Sequence, residues 1–110
     1  MPFKLVTPDL LEPEFSPTQV TILGAGLMGT ALAVVHARLG LKVALFDVDH
    51  TRLEQAKASI KQILNTLLFT SEIDRQESKT FLEAISLEQD LDVALRSSAF
   101  VVEAITEKKE

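Results

Sequence analysis

The chain has 110 residues, 46% apolar and 25% charged, which is enough for one small packed domain and too little for a second. Its 11 Lys and Arg against 16 Asp and Glu leave a net charge of −5, the wrong sign for a polyanion footprint, so nucleic acid is not an expected partner. With no Cys there is no disulfide, no Cys-based zinc site and no thiolate nucleophile, and a reducing, cytoplasmic setting is expected.

All four prolines, Pro2, Pro8, Pro13 and Pro17, fall in the first 17 residues, where they block helix and central strand. Residues 1–17 therefore read as an arm, and residues 18–110 as the domain. The arm carries one Lys, no Arg and the carboxylates Asp9, Glu12 and Glu14, so it matches neither a secretory signal nor a transit peptide. From Gln19 the run QVTILG is short, β-branched and ends in glycine, as a buried parallel strand reads. Met28, Ala31, Leu32, Val35 and Leu39 then recur at helical spacing, with Gly40 at the position of a C-terminal stop, which predicts a helix with those residues inward.

A second buried strand is expected at Leu41 to Phe46, with Asp47 at its carboxyl end. An amphipathic helix follows, from about Thr51 to about Leu68, burying Leu53, Ala56, Ile60, Ile63, Leu64 and Leu67. Its start is marked by a Thr51/Glu54 capping pattern, with Asp49 as the competing cap. The polar stretch TSEIDRQESK separates this helix from FLEAISLEQ, read as a helix end and a short third strand near Ile85 to Leu87. One or two helical turns over Asp90 to Arg96 lead to a last strand, FVVEAI, at Phe100 to Ile105. Strands alternating with helices predict an α/β fold, a partial Rossmann-type parallel sheet of order 3-2-1-4 with flanking helices.

One motif carries chemistry. Gly24-Ala25-Gly26-Leu27-Met28-Gly29 is a G-x-G-x-x-G run placed where a strand meets a helix. The first glycine permits a tight turn, the second leaves room for a pyrophosphate and the third lets the helix approach the sheet. The helix start adds free N–H groups and a partial positive charge, so an acidic chain needs no basic side chain to hold phosphates. Asp47 lies 23 residues after Gly24, close to the spacing at which a carboxylate accepts hydrogen bonds from the adenosine ribose. A 2′-phosphate would meet a like charge there, and no Arg follows immediately, so NAD is favoured over NADP.

Other side chains offer less. His36 and His50 have no metal-ligand spacing, and the chain has no Tyr for acid/base work. His36 lies on a helix and His50 at a helix start, so both read as structural or solvated. Lys57 and Lys61 read as a wet helix face. Glu103 falls within the last strand, while Glu107 lies just past it, on the side where open parallel sheets bind ligands. No run approaches the roughly 18 apolar residues of a membrane span.

The segments VTILGAGLMGTALA, VALFDVD and FVVEAITE, with the long helix between, resemble the N-terminal NAD-binding domain of 3-hydroxyacyl-CoA dehydrogenases over residues 19 to 110. The resemblance implies that the Gly24 to Gly29 loop takes the pyrophosphate of NAD, Asp47 the adenosine ribose and Glu107 the nicotinamide side. It implies an acyl-CoA substrate oxidised at its 3-hydroxyl, in fatty acid β-oxidation or related metabolism; that no membrane partner is expected follows instead from the lack of a long apolar run. Where some members place a Ser and a Lys against coenzyme A, this chain has Ile63 and Thr70. The family's catalytic serine, its His with a partner Glu, and its helical C-terminal domain would all fall beyond Glu110, so no catalytic residue is assigned here. The apolar last strand suggests association, as a homo-oligomer or through that edge. A non-catalytic dinucleotide-binding or interaction module, or another hydroxy acid dehydrogenase, is the alternative reading.

Overall fold

Alternation inside a buried run builds the first strand, β1 (Gln19–Leu23). Val20 and Ile22 point to one face and Thr21 to the other, and all three are buried. In this computed structural model, residues 19–105 are described. The arm and Glu107 lie outside the described residues. β1 pairs in parallel with β2 (Lys42–Phe46) on one side and with β4 (Phe100–Glu103) on the other. The short strand β3 (Ile85–Glu88) pairs with the far side of β2, which gives the order β3-β2-β1-β4 expected from the alternating pattern.

The helices divide between the two faces of this sheet. The first, α1 (Leu27–Arg38), packs with α2 (His50–Phe69) and α3 (Arg75–Ala84) over the face that carries Val20, Ile22, Val43 and Leu45. Ile60 and Leu64 of α2 and Ile73 before α3 close that core. Burying one such side chain contributes about 1.5–3 kcal/mol, so Leu45→Ala at its centre would cost about 2–5 kcal/mol. The short α4 (Leu91–Leu95) lies on the opposite face, where the Thr21 hydroxyl donates to the Ala94 carbonyl at 2.5 Å and pairs with the Ser98 hydroxyl. That bond lets a polar group sit in a central strand without being left unsatisfied.

The face that α1 buries differs from the expected one. Gly29, Thr30, Ala33, Val34 and Ala37 face the sheet, while Met28, Ala31, Val35 and Leu39 are exposed and Leu32 is half-buried. The helix is apolar almost all round, so periodicity does not select a side. Close approach selects it, because only the row of small residues lets the helix lie against the strand ends.

The helix starts decide between the two cap readings at α2 and add one unexpected helix. Asp49, the competing cap of the sequence reading, and not Thr51, caps α2, accepting from the backbone N–H of Thr51 at 2.8 Å and of Arg52 at 3.4 Å. The polar stretch after α2 holds the start of a ten-residue helix, α3, whose cap is a reciprocal pair. Asp74 Oδ1 accepts from Glu77 N–H at 2.8 Å, and Glu77 Oε1 accepts from Asp74 N–H at 2.9 Å. The intervening turn is closed by Ser71 at φ 63°.

Candidate functional site

The carboxyl ends of β1, β2 and β4 meet at one loop, Gly24 to Gly29. Gly24 N–H donates to the Phe46 carbonyl at 2.8 Å, and Ala104 N–H to the Leu23 carbonyl at 2.7 Å. Gly24 has φ +110°, and a Cβ there would lie 3.0 Å from the Ala104 backbone, so both conformation and space demand glycine. A Cβ on Gly29 would run into the Gly24 carbonyl, so the helix rests on the turn itself. Gly26 is different, since a Cβ there would meet nothing within 4 Å. Packing does not require glycine at that position, and the open space beside it suits a ligand that lies against the backbone.

The same loop begins α1. Gly26 is the N-cap residue, with no side-chain cap and no acidic residue in the first turn. Leu27 and Met28 are 90% and 61% exposed, so their side chains leave this helix start open to an anion. Ala25 N–H is spoken for, donating to Asp47 Oδ2 at 3.0 Å. Asp47 Oδ1 accepts from Asp49 N–H at 2.9 Å. With only 7% of its surface exposed, Asp47 is held by two backbone donors, one 22 residues before it and one two residues after it, and each of its oxygens keeps a lone pair for a hydroxyl donor.

Around Asp47 is a cleft of about 180 Å³ lined by Gly24, Phe46, Val48, Arg52 and Ile105. Val48 and Ile105 are exposed apolar walls. A smaller hollow of about 120 Å³ lies on the other side of the loop, between Gly26, Leu27, Thr30, Gln55 and Ser59. The two flank the glycine turn at the carboxyl ends of the strands, where open parallel sheets bind dinucleotides. A larger open hollow of about 790 Å³ lies at the α2–α3 turn, lined by Phe69, Glu72 and Asp74 among others, away from the strand ends.

Other sequence candidates stand apart. His36 shares its Nδ1 with the Leu32 carbonyl at 2.7 Å and tilts against Phe100. His50 is exposed, 3.9 Å from Glu54. Lys57 and Lys61 are exposed on α2. Ile63 is half-buried against the core, and Thr70 is the C-cap of α2. Glu103 ends β4 and is exposed. The residue that sequence reasoning passed over is Arg52, whose Nη1 stands 3.9 Å from Asp47 Oδ2. The turn Val48-Asp49 and the first turn of α2 fold it back, so the lack of an Arg directly after Asp47 does not mean that none is near.

A profile of the 3-hydroxyacyl-CoA dehydrogenase NAD-binding domain matches residues 19–110. The chain belongs to that family. Its cofactor is therefore NAD, bound by a family of NAD-dependent oxidoreductases. Relatives include a probable 3-hydroxyacyl-CoA dehydrogenase of Caenorhabditis elegans, 31% identical over 93 residues. The mitochondrial hydroxyacyl-coenzyme A dehydrogenase of Rattus norvegicus is 35% identical over 94 residues. Each match takes in 80% of this chain and 30% of the relative, so the chain spans under a third of their length. Among solved structures, a (S)-3-hydroxybutyryl-CoA dehydrogenase from Ralstonia eutropha superimposes with a TM-score of 0.79 at 28% identity, covering 86% of this chain and 33% of that one. The 3-hydroxybutyryl-CoA dehydrogenase of Escherichia coli K12 gives the same TM-score at 26% identity, over 84% of this chain and 20% of that one.

Proposed function

We propose that Gly24, Ala25, Gly26, Leu27, Met28 and Gly29 form the pyrophosphate cradle for NAD, with Asp47 accepting the hydroxyls of the adenosine ribose. The observation that carries this reading is the uncapped start of α1 facing open space at Gly26. Free N–H groups and the helix dipole attract the phosphates there, and a side chain at Gly26 would occupy their place. The apolar walls at Val48 and Ile105 suit the adenine ring. Glu107, by family resemblance, serves the nicotinamide side. When bound, NAD supplies the hydride acceptor; this chain's part is to hold and orient it.

At the level of the whole protein, the reading is a dehydrogenase that oxidises the 3-hydroxyl of an acyl-CoA, in fatty acid β-oxidation or related metabolism. Residues 1–17 are an arm and 18–110 the NAD-binding domain, followed in such a protein by a helical C-terminal domain. Ile63 has no polar group where a Ser would stand, and Thr70, whose hydroxyl donates to the Leu67 carbonyl at 3.2 Å, brings no positive charge where a Lys would meet coenzyme A. Among the described residues no helix is long and apolar enough to cross a membrane, and the absence of Cys suits a cytoplasmic setting. The net charge of −5 argues against nucleic acid. The edge of β4, with Phe100 and Val101 exposed and Ile105 just beyond it, is the expected surface for homo-oligomer contact; a strict monomer at high concentration in light scattering would count against that contact.

The test is titration of the 110-residue chain with NADH, followed by its assay with acetoacetyl-CoA. Saturable binding that NAD displaces is expected, with turnover below about 1 s⁻¹, the lower end of ordinary enzymes. Neither His36 nor His50 stands where it reaches a substrate beside the nicotinamide, and lack of a general base costs about 10² to 10⁴ in rate. No binding would contradict the cofactor site, and faster turnover would mean that a base has been overlooked.

A further inference from the structure

Arg52 has no role in the cofactor reading so far, and three observations bear on what it does. Its Nη1 lies 3.9 Å from Asp47 Oδ2, beyond hydrogen-bond reach, and its side chain is 49% exposed at the wall of the Asp47 cleft. Asp47 is already held by the N–H groups of Ala25 and Asp49, so Arg52 is not needed to fix it. Arg52 also sits in the first turn of α2, which has no acidic residue, where a cation runs against the helix dipole. Neither helix stability nor the orientation of Asp47 requires a guanidinium there, and its one charge partner among the described residues is Asp47, in a long, half-exposed ion pair.

We propose that Arg52 receives the 2′-phosphate of NADP, so that this cleft binds NADP as well as NAD. The proposal rests on Asp47 being the ribose-binding carboxylate. The 2′-oxygen of the ribose would then lie beside Asp47, and a phosphate on it would meet that negative charge and, farther along the turn, Asp49. A planar guanidinium on the same cleft wall offers two parallel N–H donors to phosphate oxygens and offsets the repulsion. To reach this position from the cleft mouth Arg52 gives up its 3.9 Å ion pair with Asp47, and no hydrogen bond ties its guanidinium among the described residues. Affinity for NAD stays the higher, since Asp47 accepts the free hydroxyls.

The test is fluorescence titration of the wild-type chain, Arg52→Gln and Arg52→Lys with NADH and with NADPH, with circular dichroism to confirm that each is folded. Wild type is expected to bind NADPH within about thirtyfold of NADH. Arg52→Gln should weaken NADPH binding at least about tenfold, the size of one lost charge-assisted bond, and weaken it more than it changes NADH binding. Arg52→Lys should keep part of the NADPH affinity. The proposal is overturned by wild type that binds NADH but not NADPH, or by an Arg52→Gln variant that loses both equally or neither. Wild type that binds neither dinucleotide would bring down the cofactor reading as well.

Discussion

Among the described residues three helices begin alike and one does not. Asp49, Asp74 and Asp90 each turn a carboxylate onto the first backbone N–H groups of α2, α3 and α4. The start of α1 has Gly26 in that place, with no side-chain cap. A cap of the Asp type is worth about 0.5–2 kcal/mol over an alanine, and over a glycine a few tenths. Each of the three capped helices satisfies one or two of its first donors from its own cap, whereas the first donors of α1 have no side-chain cap. The one nearby carboxylate, Asp47, does not cap α1; it braces Ala25 just ahead and stops there.

Substitution can break that contrast at several points. The largest effect is expected for Gly26→Val, which fills the open space with a branched side chain and should weaken NADH binding at least about a hundredfold while the circular dichroism spectrum stays as it is. Undiminished affinity in the folded variant would make the loop a turn and nothing more. Gly29→Ala should act on the fold instead. Its Cβ collides with the Gly24 carbonyl, so urea unfolding should show a loss of about 1–3 kcal/mol despite alanine's better helix propensity. Equal stability would mean that α1 slides away from the turn without cost.

Asp47→Ala should move both readouts. It removes the proposed ribose acceptor and leaves the buried Ala25 N–H without its partner, so NADH affinity should fall about tenfold and stability by about 1–3 kcal/mol. An affinity loss without a stability loss would show that the Ala25 bond contributes little. The smallest effect is expected for Asp74→Ala, which breaks the capping pair of α3. Unfolding should cost about 1 kcal/mol and NADH titration should be unchanged. A change in binding there would tie α3 to the cofactor site, which the geometry does not.

Much of this molecule is legible in its residues, and the reasons are local. The β-branched run at Val20 to Ile22, the glycine loop and Asp47 at the end of β2 each announce a strand, a turn and a strand end without help from distant contacts. The short strand at Ile85 and the strand order follow from the alternation of elements. What is not legible depends on choices between near-equal alternatives. The inward face of α1 is set by how closely Gly29 and Ala33 approach the sheet, and the apolar period is satisfied as well by Met28 and Val35. The helix from Arg75 is disguised by its polarity, although Asp74 and Glu77 carry its start signal. Arg52 escapes because two residues of turn and one turn of helix bring it back toward Asp47, a distance that spacing along the chain does not measure.

The contrast between α1 and its neighbours can be erased by one residue. Gly26 has φ −80° and ψ −161°, an extended conformation open to any residue, and nothing within 4 Å of where a Cβ would stand. Gly26→Asp would therefore cap α1 as Asp49 caps α2, with stability unchanged or raised by a few tenths of a kcal/mol. The decisive measurement is calorimetric titration of this variant and of wild type with NADH. If the free helix start is the pyrophosphate site, the variant remains folded and binds at least about a hundredfold more weakly, because its own carboxylate takes the donors and repels the phosphates. Binding within about threefold of wild type would contradict the account.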